Sequence, residues 1–154
     1  MTPLFFFGTL RHQPLLDIVL GRAITPVPAT LPGYRVAWAA GESFPMLTED
    51  TGAAAEGVLA HGLTEADIAR LNFYEGAFSY DLVDVTVESA AGPVAARVFM
   101  SKEALWQPGA DWHLQDWVAE WGPLTLIAAG EVMRAFGHET PAQVAARFPI
   151  IRAR

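Results

Sequence analysis

Two stretches of this sequence carry residues whose types and spacing fit them for chemistry. Residues 72–80, NFYEGAFSY, set a single carboxylate, Glu75, among Phe73, Tyr74, Phe78 and Tyr80. Aromatic neighbours strip water from a carboxylate and raise its pKa toward the range useful for proton transfer. A negative charge at the C-terminal end of a helix also meets the unfavourable end of the dipole, which pushes the same way. The second stretch, residues 4–10, is LFFFGTL, an apolar run closed by glycine. It reads as a buried strand ending in a tight turn, and the backbone of Gly8, Thr9 and Leu10 then either reverses the chain or cradles an anion. Each stretch also has a plain reading: three phenylalanines make core, and a glutamate at a helix end is often a solvated charge.

The elements that must position these groups follow from patterning. Over residues 11–21, Pro14 suits a first helical turn, Leu15, Leu16, Val19 and Leu20 form one face, and Gly21 ends the helix. A second helix starts at Thr64, with Asp67 three residues on as in a capping box, and runs to Gly76, so it delivers Glu75 at its C-terminal end. Residues 80–101 alternate Val83, Val85 and Val87 with Asp84, Thr86 and Glu88, turn near residues 90–93 and return to Met100, which predicts a hairpin. Residues 23–62 read as four short β-type runs separated by turn residues, with prolines 26, 28 and 32 suited to edges or bends. From Trp112 the pattern is helical, with Leu114, Trp117 and Trp121 on one face and a new segment opened by Pro123. Strands first and helices afterwards predict an α+β fold with a curled or barrel-like sheet and a helical C-terminal extension.

Composition narrows the chemistry. The 154 residues suffice for one well-packed domain, and they contain no cysteine, so disulfides, thiolate metal sites and a cysteine nucleophile are excluded. Four histidines, His12, His61, His113 and His138, lie far apart and form no metal-ligand pair at helical spacing, so neither metal nor cofactor is expected. A net charge of −7, with Lys102 as the sole lysine, argues against nucleic acid. No apolar run approaches the ~20 residues that span a bilayer, and the first residues lack a basic n-region followed by a long apolar h-region. The expected protein is cytoplasmic, with no membrane partner.

The order of these motifs resembles the γ-glutamylcyclotransferase-like, or AIG2-like, family. Phe7-Gly8-Thr9-Leu10 is similar to the family's Tyr-Gly-Thr/Ser-Leu/Asn turn after the opening strand. LPGYRV and Phe44-Pro45-Met46-Leu47 resemble its Gly-Tyr/Phe strand start and Tyr-Pro-x-Leu segment, and Glu56-Gly57-Val58 its Val-x-Gly strand. Leu71-Asn72-Phe73-Tyr74-Glu75-Gly76, with Tyr80 after it, resembles the Leu-Asp-x-Tyr/Phe-Glu-Gly helix end. The resemblance covers about residues 3–101. It implies a small mixed β-barrel with flanking helices and a pocket between the first turn and the glutamate. It further implies that a small γ-glutamyl amine or peptide is cyclised to 5-oxoproline with release of the amine, without metal or cofactor. On that reading Glu75 is the acid/base, and Phe7, Gly8, Thr9, Leu10 and Tyr80 bind substrate.

Two positions depart from the pattern: Phe7 stands where the family has Tyr, and Asn72 where it has Asp. They motivate the alternative, a non-catalytic small-molecule-binding or accessory domain of a longer protein. Residues 1–105 are expected to form the barrel domain and residues 106–154 a helical extension packed on it. That extension resembles the region leading into a Nudix hydrolase domain in some bacterial two-domain proteins, and its tryptophans, Trp106, Trp112, Trp117 and Trp121, would serve as packing anchors or as a docking face for that domain or for a second copy in a homodimer. Arg11 and Arg35 are read either as rim residues or as partners for a substrate carboxylate.

Overall fold

The computed structural model describes residues 2–76, 80–101 and 106–147. Chain order is β1 (Leu4–Phe6), a 3-10 turn (Thr9–Arg11), α1 (Gln13–Leu20), β2 (Val27–Ala39), β3 (Pro45–Ala60), α2 (Glu65–Gly76), β4 (Tyr80–Ser89), β5 (Gly92–Ser101), β6 (Pro108–Asp111), α3 (Leu114–Arg134) and α4 (Pro141–Arg147). Strands pair in the order β3-β1-β5-β4-β2, and β2 pairs back onto β3, which closes a five-stranded barrel. β1 is parallel to β5 and antiparallel to β3, and the remaining pairs are antiparallel, so the barrel is mixed. The predicted hairpin is β4–β5, paired from Tyr80↔Ser101 to Ser89↔Gly92.

The opening strand is apolar throughout because both of its faces are buried. Phe5 and Phe7 join the barrel interior with Leu31, Leu47, Leu59, Val87 and Val98. Leu4 and Phe6 point the other way, into a second core shared with α1, α2 and α3. Gly57 makes room for this strand: a Cβ there would come within 2.4 Å of the Phe6 carbonyl oxygen and 2.5 Å of the Phe5 ring.

Three local expectations change. The four short runs of residues 23–62 fuse into the two long strands β2 and β3. Their turn-type residues are absorbed by a register break between Pro32 and Tyr34, where β2 offers Gly33 at a φ of +83° and β3 offers residues 50–53. Residues 108–111, with no β pattern in the sequence, add β6 alongside β2. The break expected at Pro123 is absent, and α3 continues through it. Trp117 before the proline and Ala129 and Val132 after it are all buried against the same core, which holds both halves of the helix in line. Among the described residues no helix is long and apolar enough to cross a membrane.

The helices are pinned to one another by polar contacts. The expected capping box is formed: Thr64 N–H donates to Asp67 Oδ2 at 2.9 Å, and Asp67 N–H donates to Thr64 Oγ1 at 3.1 Å. Arg70 of α2 caps α1, donating from Nε to the Val19 carbonyl at 2.7 Å and from Nη2 to the Ile18 carbonyl at 3.3 Å. Asp67 is buried, and Arg22 donates to it from Nε at 3.0 Å. Hydrogen bonding to Arg22, reinforced by Thr64 and opposed by burial, holds the Asp67 carboxyl at a pKa of about 2 against an ordinary 3.8.

Because the folded pKa lies below the unfolded one, the stabilisation is present above pH ~4 and is lost as pH falls toward 2. Its size is roughly 2 kcal/mol. Asp67→Asn is therefore expected to lower stability near neutral pH and to flatten the acid limb between about pH 4 and pH 2. Urea midpoints measured across that range check it, and an unchanged acid limb would remove Asp67 as its source.

Candidate functional site

At the end of β1 the chain leaves the barrel through Gly8 and enters the 3-10 turn Thr9–Arg11, whose Arg11 N–H donates to the Gly8 carbonyl at 3.0 Å. The last turn of α2 approaches from the helical layer. Between them lies a cavity of about 40 Å³, lined by Gly8, Thr9 and Leu10 on one side and Glu75 on the other. That volume matches a few water molecules. Phe5, Phe6, Phe7, Phe44, Pro45 and Phe99 complete its walls. Glu75 is 6% exposed and Thr9 also 6%, so the site places a carboxylate and a turn in surroundings that are otherwise apolar and mostly aromatic.

The structure thus brings together five of the six residues singled out for the site: Phe7, Gly8, Thr9, Leu10 and Glu75. Tyr80 opens β4, and its side chain lies outside what the structure describes, as does Phe78 altogether. Among the described residues, the rings that share the cavity with Glu75 are Phe5, Phe6, Phe7, Phe44 and Phe99. Phe73 packs edge-on against Phe136, with ring centroids 5.3 Å apart, instead of lining the cavity. Successive residues on a helix point about 100° apart, so sequence neighbours of Glu75 share its helix but not its direction. Of the two departures from the family pattern, Phe7 lines the cavity, whereas Asn72 is exposed on α2.

Phe44, Pro45 and Phe99 join the walls from segments distant in sequence from both the turn and Glu75. Phe44 sits on the loop between β2 and β3 and meets the Trp106 ring edge-on at 4.7 Å. The Ala40 N–H donates to the Gln107 carbonyl at 2.8 Å, so the β2–β3 loop meets the segment that leads into β6. No periodicity in the sequence signals these positions, because the contact joins segments more than sixty residues apart.

Gly8 is needed for close approach. A Cβ there would lie 2.9 Å from Pro45 Cγ, across the cavity wall. Gly8→Ala must push Pro45 aside and is expected to cost about 1–3 kcal/mol. Denaturant midpoints check this, and a midpoint equal to wild type would show that Pro45 yields freely.

The family model for gamma-glutamyl cyclotransferase, AIG2-like, matches residues 4–119. The chain belongs to this family. Solved structures share the fold at low identity. A solution structure from Arabidopsis thaliana is 18% identical, with a TM-score of 0.63, covering 88% of this chain and 83% of that one. A crystal structure of an AIG2-like protein from Mus musculus is 18% identical, with a TM-score of 0.57, covering 73% and 88%. A structure titled gamma-glutamyl cyclotransferase is 12% identical, with a TM-score of 0.61, covering 99% and 89%. No curated protein matches. At such identities the structural likeness establishes the barrel with its flanking helices, and the family match extends through β6 into α3 of the AIG2-like chain.

Proposed function

We propose that this AIG2-like protein cyclises a small γ-glutamyl amine or peptide to 5-oxoproline, releasing the amine. The observation that carries the reading is the meeting of the residues 8–10 turn and Glu75 at one cavity, in a chain of this family. In the proposed reaction the backbone N–H groups of the turn hold the α-carboxylate of the glutamyl head. Glu75 takes a proton from the α-amine, whose nitrogen attacks the γ-carbonyl carbon and forms a tetrahedral centre. The γ C–N bond then breaks, its electrons leave with the departing nitrogen, and Glu75 returns the proton to that nitrogen.

Nucleophile and electrophile belong to one molecule, so the protein chiefly has to hold the chain folded on itself. Correct juxtaposition of reacting groups supplies up to ~7–11 kcal/mol of such a barrier. A proton shuttle adds about 10²–10⁴-fold. The cysteine-free composition fits action in a reducing cytoplasm.

The test is chromatographic detection of 5-oxoproline after incubating the protein with γ-glutamyl amino acids, γ-glutamyl amines and glutathione. Product from one class of the panel is the expected result and names the leaving group. No product from any of them would overturn the enzymatic reading in favour of a binding domain that has kept the pocket.

A further inference from the structure

The wall of the Glu75 cavity that carries Phe44 is not held by the barrel alone. Phe44 closes the loop of residues 40–44 between β2 and β3, and its carbonyl accepts from the Ala39 N–H at 3.0 Å. Two hydrogen bonds tie this loop to the C-terminal segment. The Ala40 N–H donates to the Gln107 carbonyl at 2.8 Å, and the Trp117 indole N–H donates to the Ser43 carbonyl at 3.0 Å. The Phe44 ring has its own partner in that segment, the Trp106 indole, edge-on with the two planes 77° apart.

Phe44 also stands apart in its packing. With Ala39 and Met46 it forms a small apolar cluster separate from the barrel interior and from the helical core, and Trp106, partly buried, packs against that cluster. Of these residues Phe44 lines the cavity. The next residue, Pro45, is the wall that a Cβ at Gly8 would meet. The Phe44–Pro45 pair therefore stands between the Trp106 indole on one side and the turn that opens at Gly8 on the other.

We propose that Trp106, outside the barrel strands, is a positioning residue of this cavity: through the Phe44 ring it fixes the Phe44–Pro45 wall against the turn of residues 8–10. Its cluster belongs to neither main core, so the indole contributes little to holding the fold together. What it secures is the shape of the space beside Glu75. Misplacing reacting groups by about 1 Å costs on the order of 10²-fold in rate, so a small shift of the wall has a large kinetic effect. The kinetic part of the inference rests on the cyclisation reading, and the geometric part does not.

Trp106→Ala is expected to lower kcat/KM for release of 5-oxoproline by roughly tenfold to hundredfold, chiefly through kcat, at a temperature where the variant is fully folded. Its melting temperature is expected to fall by only a few degrees. Trp106→Phe keeps a ring edge on Phe44 and is expected to restore most of the rate. Because the effect runs through Phe44, the losses are not independent: Phe44→Leu combined with Trp106→Ala is expected to lose little more than Phe44→Leu alone.

¹H–¹⁵N spectra of the whole chain read the wall without turnover. Trp106→Ala is expected to shift the Gly8 and Thr9 amide signals, and Trp106→Phe to leave them close to wild type. Should Trp106→Ala not fold, Trp106→Leu, which keeps apolar bulk and lacks a ring edge, takes its place in every measurement. A wild type that makes no 5-oxoproline overturns the cyclisation reading alone, and the amide signals then decide. Unmoved Gly8 and Thr9 signals, kcat per folded molecule equal to wild type, or losses that multiply in the double variant overturn the proposal.

Discussion

Glu75→Gln is expected to lower turnover of the γ-glutamyl substrate by about 10²–10⁴-fold while leaving the fold in place. The amide keeps the shape of the side chain at the end of α2, and the cavity walls from β1, β5 and the β2–β3 loop do not change. What is lost is the titratable oxygen that would accept a proton from the attacking amine and return it to the leaving one. In the proposed mechanism the group acts in the transition state, so kcat and kcat/KM should fall together, with KM little altered. Steady-state release of 5-oxoproline, with circular dichroism to verify folding, reads the result. Undiminished turnover would remove Glu75 from the mechanism.

Trp117→Ala is expected to have the largest effect on stability. Trp117 is 0% exposed and lies at the junction of α1, α3 and the sheet, with His12 edge-on at 6.2 Å and Trp112 at 6.5 Å. Its indole N–H donates to the Ser43 carbonyl at 3.0 Å, which ties α3 to the loop that carries Phe44. Truncating a buried tryptophan costs about 3–5 kcal/mol. For a chain of this size that is a fall in Tm on the order of 10 °C. Because Ser43 precedes a wall residue of the cavity, activity should fall as well, even at temperatures where the variant is folded. Trp117→Phe retains most of the packing and isolates the hydrogen bond, worth about 1 kcal/mol. Calorimetric melting of both variants checks the order, and equal melting temperatures for Trp117→Ala and wild type would contradict it.

Where the signals were local, the sequence was legible. The capping box of Thr64 and Asp67, the glycine at the end of α1 and the alternating valines of β4 each depend on residues within a few positions of one another, and each stands in the structure as read. Signals failed where a distant partner decided. Pro28 and Pro32 mark breaks in a sequence window, yet β3 on one side carries β2 past them, with Gly33 absorbing the misfit. Pro123 looks like a helix start, yet burial on both sides of it outweighs one lost hydrogen bond. β6 is too short and polar to have a pattern and exists only because β2 offers an edge.

The site divides in the same way. The sequence by itself determined which groups are available: a glycine-bearing turn after an aromatic strand, one carboxylate at a helix end, and no cysteine, which excludes thiol chemistry. Only the tertiary structure decided that the turn and the carboxylate share a cavity, that Phe44, Pro45 and Phe99 wall it, and that Arg35 is answered by Asp111. The physical reason is range. Turn and helix-end chemistry is set by bonds within a few residues, whereas a cavity is the space left over after distant side chains have packed, and no local window contains its shape.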